Sequence, residues 1–424
     1  MHEDPVTPLL LGISVILLAA KFGGDLMVRL RQPAVLGELL VGVVLGNLVL
    51  FGFDAFEFLR PIESHATETS SSGQHLVAVT LDMLARIGVI LLLFEIGLES
   101  NLHEMRKVGV SSFLVAILGV VVPMGLGWIA CRWLLPTSSW HVHLFVGATL
   151  CATSVGITAR VLKDLGKTDT PEAKIILGAA VIDDVLGLIV LAVVQAIIVR
   201  GTASPLEVVI IIGKAFGFLA GAVILGEWLS PRLFRVAALL RVHGMLVITG
   251  LVMCFGLAWC ASLMGLAPIV GAFAAGLILD EKHYEALRVS DERSLEDWVL
   301  PITTLLVPIF FVMMGFRVDL RSLAEPSVVW LAAGLTFVAI LGKQACSLGV
   351  FGGNLDRLSV GIGMIPRGEV GLIFAAIGQG LVIDEKPIIA PALYTAIVVM
   401  VMVTTLVTPP MLGWSLRRNR LVGK

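Results

Sequence analysis

Asp183 and Asp184 stand side by side in Val181-Ile182-Asp183-Asp184-Val185-Leu186-Gly187-Leu188-Ile189-Val190, with apolar or small residues on both flanks. An ionised carboxylate at the centre of a membrane helix costs about 2.5–3.5 kcal/mol on insertion scales. Two in succession imply a use for the charge: binding a cation, carrying a proton, or pairing with a buried base. Neighbours on a helix point about 100° apart. The two acids therefore cannot face one partner, but one can pair with a side chain while the other faces a hydrated cavity. The alternative, a helix end where both acids reach water, conflicts with the apolar residues that precede and follow them.

The base that matches them is Lys343, within Phe337-Val338-Ala339-Ile340-Leu341-Gly342-Lys343-Gln344-Ala345. A buried lysine is costly unless paired or neutral. It lies in the inner half of its apolar stretch, so snorkelling to the cytoplasmic face is the competing reading. Two further stretches read as broken helices. Cys151-Ala152-Thr153-Ser154-Val155-Gly156 puts hydroxyls and a glycine mid-span, and Met364-Ile365-Pro366-Arg367-Gly368-Glu369-Val370-Gly371 puts a proline and two glycines there. Freed carbonyls and helix-end dipoles at such breaks are natural ion ligands. Thr153 and Ser154 are candidate ligands, against ordinary small-residue packing. Arg367 and Glu369, beside Pro366, read as a structural ion pair or as compensation for helix-end dipoles. Glu95 and Glu99 lie four residues apart near the inner end of another apolar stretch, and Glu95 is a candidate for a cytoplasmic funnel.

The elements that position these groups follow from composition. Hydrophobic residues make up 57% of the 424 and charged residues 15%, against about 45–50% and about 25% in soluble chains. Lipid is thus the main solvent, and a span takes about 20 residues. Hydropathy predicts an all-α membrane protein of about thirteen spans, near 8–28, 33–53, 81–98, 108–130, 141–160, 173–199, 206–229, 244–265, 267–280, 299–316, 327–350, 358–383 and 387–413. The first contains Lys21 and Asp25 and is expected to be retained rather than cleaved. The segment 54–80, with Thr69-Ser70-Ser71-Ser72-Gly73, is expected to be a flexible loop. Five scattered cysteines without a CxxC pair suggest neither a zinc site nor a disulfide framework. No cofactor is expected. No basic stripe points to nucleic acid. Lys and Arg concentrate in the loops of one side, Arg106, Lys107, Lys163, Arg232, Arg235 and Arg417 among them. That bias predicts an outside N-terminus and a cytoplasmic C-terminus.

The chain also echoes itself. Pro33-Ala34-Val35-Leu36-Gly37-Glu38-Leu39-Leu40-Val41-Gly42 matches Pro268-Ile269-Val270-Gly271-Ala272-Phe273-Ala274-Ala275-Gly276, and Leu93-Phe94-Glu95-Ile96-Gly97 matches Phe311-Val312-Met313-Met314-Gly315. With thirteen spans, the matching segments run in opposite directions. The reading is two inverted five-helix repeats with crossed broken helices, an architecture of secondary transporters with the site near the membrane midplane.

Asp183-Asp184, Thr153-Ser154, Lys343 and Pro366-Arg367-Gly368-Glu369 together resemble the monovalent cation:proton antiporter family, in its bacterial sodium/proton branch with an aspartate pair. The resemblance covers essentially the whole chain. It implies an integral protein of the bacterial inner membrane, a homodimer surrounded by lipid, that exchanges Na⁺ or Li⁺ for protons by alternating access, with electrogenic coupling. It implies core helices at about 108–199 and 327–413 and dimerisation helices at about 8–98 and 206–316, within one exchanger domain over 1–424. It also implies that Asp184 binds the cation with Asp183 and Thr153 nearby, and that Asp183 pairs with Lys343. A K⁺/H⁺ antiporter of the same fold is the first alternative, because carboxylate and hydroxyl ligands do not by themselves fix ion size. A symporter for organic anions would not need the lysine and aspartate pair. An intramembrane aspartyl protease needs two aspartates facing one water, which adjacent residues cannot supply; no enzyme is expected.

Overall fold

A computed structural model describes residues 6–30, 32–52, 72–99, 109–164, 167–168, 170–200, 205–240, 242, 244–279, 294–352, 355–383 and 386–422. Most of the expected loop at 54–80 lies outside them. The helices, in chain order, are α1 (Val6–Arg29), α2 (Ala34–Asn47), α3 (Ser72–Glu99), α4 (Val110–Leu134), α5 (Trp140–Thr149), α6 (Val155–Asp164), α7 (Pro171–Arg200) and α8 (Pro205–Leu239). There follow α9 (Met245–Leu263), α10 (Pro268–Ile278), α11 (Leu295–Phe316), α12 (Pro326–Gln344), α13 (Arg357–Gly363), α14 (Glu369–Gly380) and α15 (Pro391–Val422). Among the described residues the only strands are β1 (Val382–Ile383) and β2 (Lys386–Pro387), which pair antiparallel.

Nine of these helices are long and apolar enough to cross a membrane, namely α1, α3, α4, α7, α8, α9, α11, α12 and α15. With no water in the bilayer, a helix is the form that satisfies every backbone group within its own segment. The expected stretches fall on these nine, on the short α2 and α10, and on the short pairs α5/α6 and α13/α14. Several helices exceed their apolar stretch. The 35 residues of α8 rise about 52 Å at 1.5 Å each, well past a hydrocarbon layer of about 30 Å. Others are shorter than hydropathy suggested, for local reasons. At Asn47 the side-chain Nδ2 donates to the carbonyls of Val43 and Val318, each at 2.8 Å, and Oδ1 accepts from Leu320 N at 3.0 Å. The chain then tightens into a 3₁₀ turn over Leu48–Phe51. At α10, Pro268 sets the first turn, where its missing N–H is harmless.

The chain divides into two compact units. One comprises Met1–Phe22, Leu48–His103 and Ala203–Met313; the other comprises Gly23–Asn47, Glu104–Thr202 and Met314–Lys424. In the first, α10 is buried along its length against α3, α8 and α9. In the second, α4 packs on α5, α7 and α12, and α15 lies along α12, α13 and α14.

Glycine contacts trace the repeat. A β-carbon on Gly276 would sit 2.2 Å from the Phe94 carbonyl oxygen and 2.8 Å from the backbone of Gly97. A β-carbon on Gly315 would sit 2.1 Å from the Leu39 carbonyl oxygen and 2.9 Å from Gly42 Cα. Gly42 and Gly276 match in sequence, as do Gly97 and Gly315, so the two contacts are equivalents with the repeats exchanged. The correspondence extends one helix further than the sequence echo. Gly37 would clash with the carbonyl of Gly23 on α1 and Gly271 with that of Leu257 on α9, at one 234-residue offset (23 to 257, 37 to 271). These helix pairs meet backbone to backbone, as membrane helices do at small residues.

Candidate ion-binding site

The carboxylate pair rides on α7, and its base rides on the last turn of α12. Lys343 Nζ lies 3.3 Å from Asp183 Oδ1 and 3.4 Å from Oδ2. Both side chains are wholly buried, so Lys343 does not snorkel. Val115, Ala116, Ala179, Ala180 and Cys346 form one buried apolar cluster on α4, on α7 and just past α12. In such surroundings either charge alone is strongly unfavourable, and each offsets the other's desolvation. A cation in the last turn also suits the negative end of the α12 dipole. Asp184, the next residue, is buried as well and leaves α7 in another direction.

The broken helices cross within the same unit as this pair. α5 stops at Thr149 and α6 starts at Val155; α13 stops at Gly363 and α14 starts at Glu369. Pro366 cannot donate to a helical ladder, and its carbonyl instead accepts from Ser154 N at 2.9 Å. Thr158 Oγ1 donates to the Gly363 carbonyl at 2.6 Å. Arg367 is wholly buried. Its guanidinium donates to the carbonyls of Ala152 and, at 3.3 Å, of Ala339. It thus ties a carbonyl of the first break to one of α12. The side chain of Glu369 lies outside the described residues, and so does any pair it makes with Arg367.

Thr153 Oγ1 is buried in this crossing with no hydrogen-bond partner. A buried hydroxyl without a partner calls for a water or an ion. Among the described residues no three His, Cys, Asp or Glu side chains gather into a metal cluster. The donors here are carboxylate, hydroxyl and carbonyl oxygens, the set that suits hard cations. Glu95 belongs to the other unit, where it hydrogen-bonds Thr303 of α11.

Three further contributors support the site. Asp356 caps α13, accepting from Leu358 N, Ser359 N, Ser359 Oγ and Ser415 Oγ, and so ties the broken helix to α15. A β-carbon on Gly119 of α4 would sit 3.1 Å from Lys343 Nζ and 3.4 Å from Asp183 Oδ1. One on Gly368 would sit 2.6 Å from Ser154 Oγ. Gly119 could be suspected only as a glycine inside an apolar stretch, whereas Gly368 stands in the Pro366–Gly371 break. Gly368→Ala is expected to force the crossing apart, at an overpacking cost of about 1–3 kcal/mol. Purified protein should melt earlier, and cation-driven flux should fall. A wild-type melting temperature would show that the crossing is looser than these contacts require.

The family profile described as the transmembrane sodium/hydrogen exchanger matches residues 13–418. The high-affinity Na⁺/H⁺ antiporter NhaS3 of Synechocystis sp. is 38% identical, covering 97% of this chain and 91% of that protein. The Na⁺/H⁺-K⁺ antiporter GerN of Bacillus cereus is 36% identical, covering 95% of each. Among solved structures, the sodium proton antiporter MjNhaP1 from Methanocaldococcus jannaschii shares the fold, with a TM-score of 0.68 over 97% of each chain and 15% identity.

Proposed function

The chain belongs to the sodium/hydrogen exchanger family, and from that premise we propose that it is an integral membrane antiporter exchanging Na⁺ or Li⁺ for protons. The observation that carries this reading is the buried Asp183–Lys343 pair with Asp184 next to it on α7. Asp184 takes the cation or a proton in turn, with Thr153 Oγ1 as a neutral ligand and Ser154 at the same break. Arrival of the cation draws Asp183 away from Lys343. Either load neutralises charge at the crossing, which lowers the penalty for carrying the site past a hydrophobic barrier. Only loaded forms then move, and exchange follows.

The helices near 108–199 and 327–413 act as the moving core. Those near 8–98 and 206–316 hold two copies together as a homodimer. Counting the short α2 and α10 and the two broken pairs as one crossing each gives thirteen spans. The Lys and Arg bias puts the C-terminus in the cytoplasm of a bacterial cell, with the protein in its inner membrane. K⁺ is the second reading, favoured by the description of GerN as an Na⁺/H⁺-K⁺ antiporter.

The Asp183–Lys343 pair provides a second titratable group beside Asp184, so two protons exchange per Na⁺ and net charge moves. Purified protein in proteoliposomes tests all of this. Proton flux is expected with Na⁺ and Li⁺. A membrane potential imposed without ion gradients should drive Na⁺ and reverse it when the sign is reversed. Flux with K⁺ alone would overturn the ion assignment. Flux indifferent to potential would overturn the two-proton count.

A further inference from the structure

Lys343 needs somewhere to go. If the cation displaces it from Asp183, its N–H donors stay wholly buried and need another acceptor. An unpaired buried donor costs as much as a lost hydrogen bond or more, and a charged one costs most. The pair is not tightly locked: 3.3 and 3.4 Å exceed the roughly 2.7–2.9 Å of a strong charged N–H···O bond.

Next to the ammonium lies Gly119, whose β-position is 3.1 Å from Nζ. Four residues on, inside the same helix, is Pro123. Proline has no N–H, so the carbonyl four residues before it loses its helical donor. That carbonyl belongs to Gly119. Pro123 also faces α12: a β-carbon on Gly342, the neighbour of Lys343, would sit 3.0 Å from Pro123 Cα and 3.2 Å from its ring. Gly119 and Pro123 are both buried. Proline placement, the lysine's position and the helix contact thus coincide at one free acceptor.

We propose that the backbone carbonyl of Gly119 is the second acceptor for Lys343, receiving its N–H when Asp183 releases it. The carbonyl can accept from the ammonium or from the neutral amine, since both donate, and the bond from the charged form is the stronger. Gly119 is then a positioning residue. It has no side chain to block the lysine, and its carbonyl lowers the cost of the cation-bound state. The inference rests on the exchange reading above.

Pro123→Ala restores the N–H and closes the helical bond onto Gly119, withdrawing the acceptor. The test is a Na⁺ titration of melting temperature on purified protein, since a ligand that binds the folded state raises it. Without Na⁺, Pro123→Ala should melt at or above the parent temperature, because alanine favours the helix. Its half-saturating Na⁺ concentration should rise about tenfold to hundredfold, the worth of one hydrogen bond to a charged group. In a Lys343→Ala background the same substitution should leave Na⁺ affinity unchanged, because no lysine remains to be received. Pro123→Ser restores the same N–H and should behave alike if the alanine variant folds poorly. Parental Na⁺ affinity in Pro123→Ala, or an equal loss in the Lys343→Ala background, would overturn the proposal. A parent protein with neither Na⁺-dependent melting nor Na⁺-driven proton flux would instead overturn the exchange reading.

Discussion

Asp184→Asn is expected to abolish cation-coupled proton movement while leaving a folded protein. Asparagine keeps the shape of aspartate and removes the charge. A cation at this depth without a counter-charge faces the insertion penalty of about 2.5–3.5 kcal/mol or more, which is roughly a hundredfold or greater loss of occupancy at 1.4 kcal/mol per factor of ten. The neutral side chain also has no proton to give up in exchange. Stability should not suffer, because the buried pair beneath it, Asp183 with Lys343, is untouched and one buried charge has gone. The measurement is Na⁺-dependent proton flux in proteoliposomes, with the melting curve as the control for folding. Retained flux in a folded Asp184→Asn protein would remove Asp184 from the cation site.

What could be read from the sequence was local. A carboxylate pair, a lysine, and Pro-Arg-Gly inside apolar runs stand out because charge and helix breakers are rare in lipid. The structure puts Asp183 against Lys343, 160 residues away, and breaks the helices at 150–154 and 364–368. Contacts between distant backbone groups left no such mark. Arg367 reads from the sequence as a partner of Glu369 or as compensation for helix-end dipoles, and no local pattern gives the carbonyl its donors reach, that of Ala152, 215 residues earlier. Gly119 is one of 44 glycines, and only the packing of α12 against α4 singles it out. The extension of the repeat to α1 and α9 was invisible because a glycine meets a carbonyl there, supplied by Gly23 in one copy and Leu257 in the other. Helix ends differ from the hydropathy limits where polar residues flank an apolar stretch. α3 begins at Ser72 rather than near 81, since polar residues such as Gln74 and His75 continue a helix without raising hydropathy.

The second large effect concerns the buried pair itself. Lys343→Ala leaves Asp183 wholly enclosed with its partner gone. Removing one member of a buried ion pair typically costs about 3–5 kcal/mol, because the survivor keeps its desolvation penalty and loses its compensation. The damage should therefore exceed what the lost methylenes of lysine would cause. Asp183→Asn in the same chain removes the stranded charge, so the double variant should be more stable than Lys343→Ala alone. That ordering is the signature of contact, and simple packing loss predicts the reverse, with each substitution adding to the last. Thermal melting of the parent, both single variants and the double variant closes the cycle. Additive shifts would mean that Asp183 and Lys343 do not depend on each other. Strong non-additivity would establish the energetic link that cation arrival must break: the same few kcal/mol that hold the pair together set how tightly a cation must bind to part it.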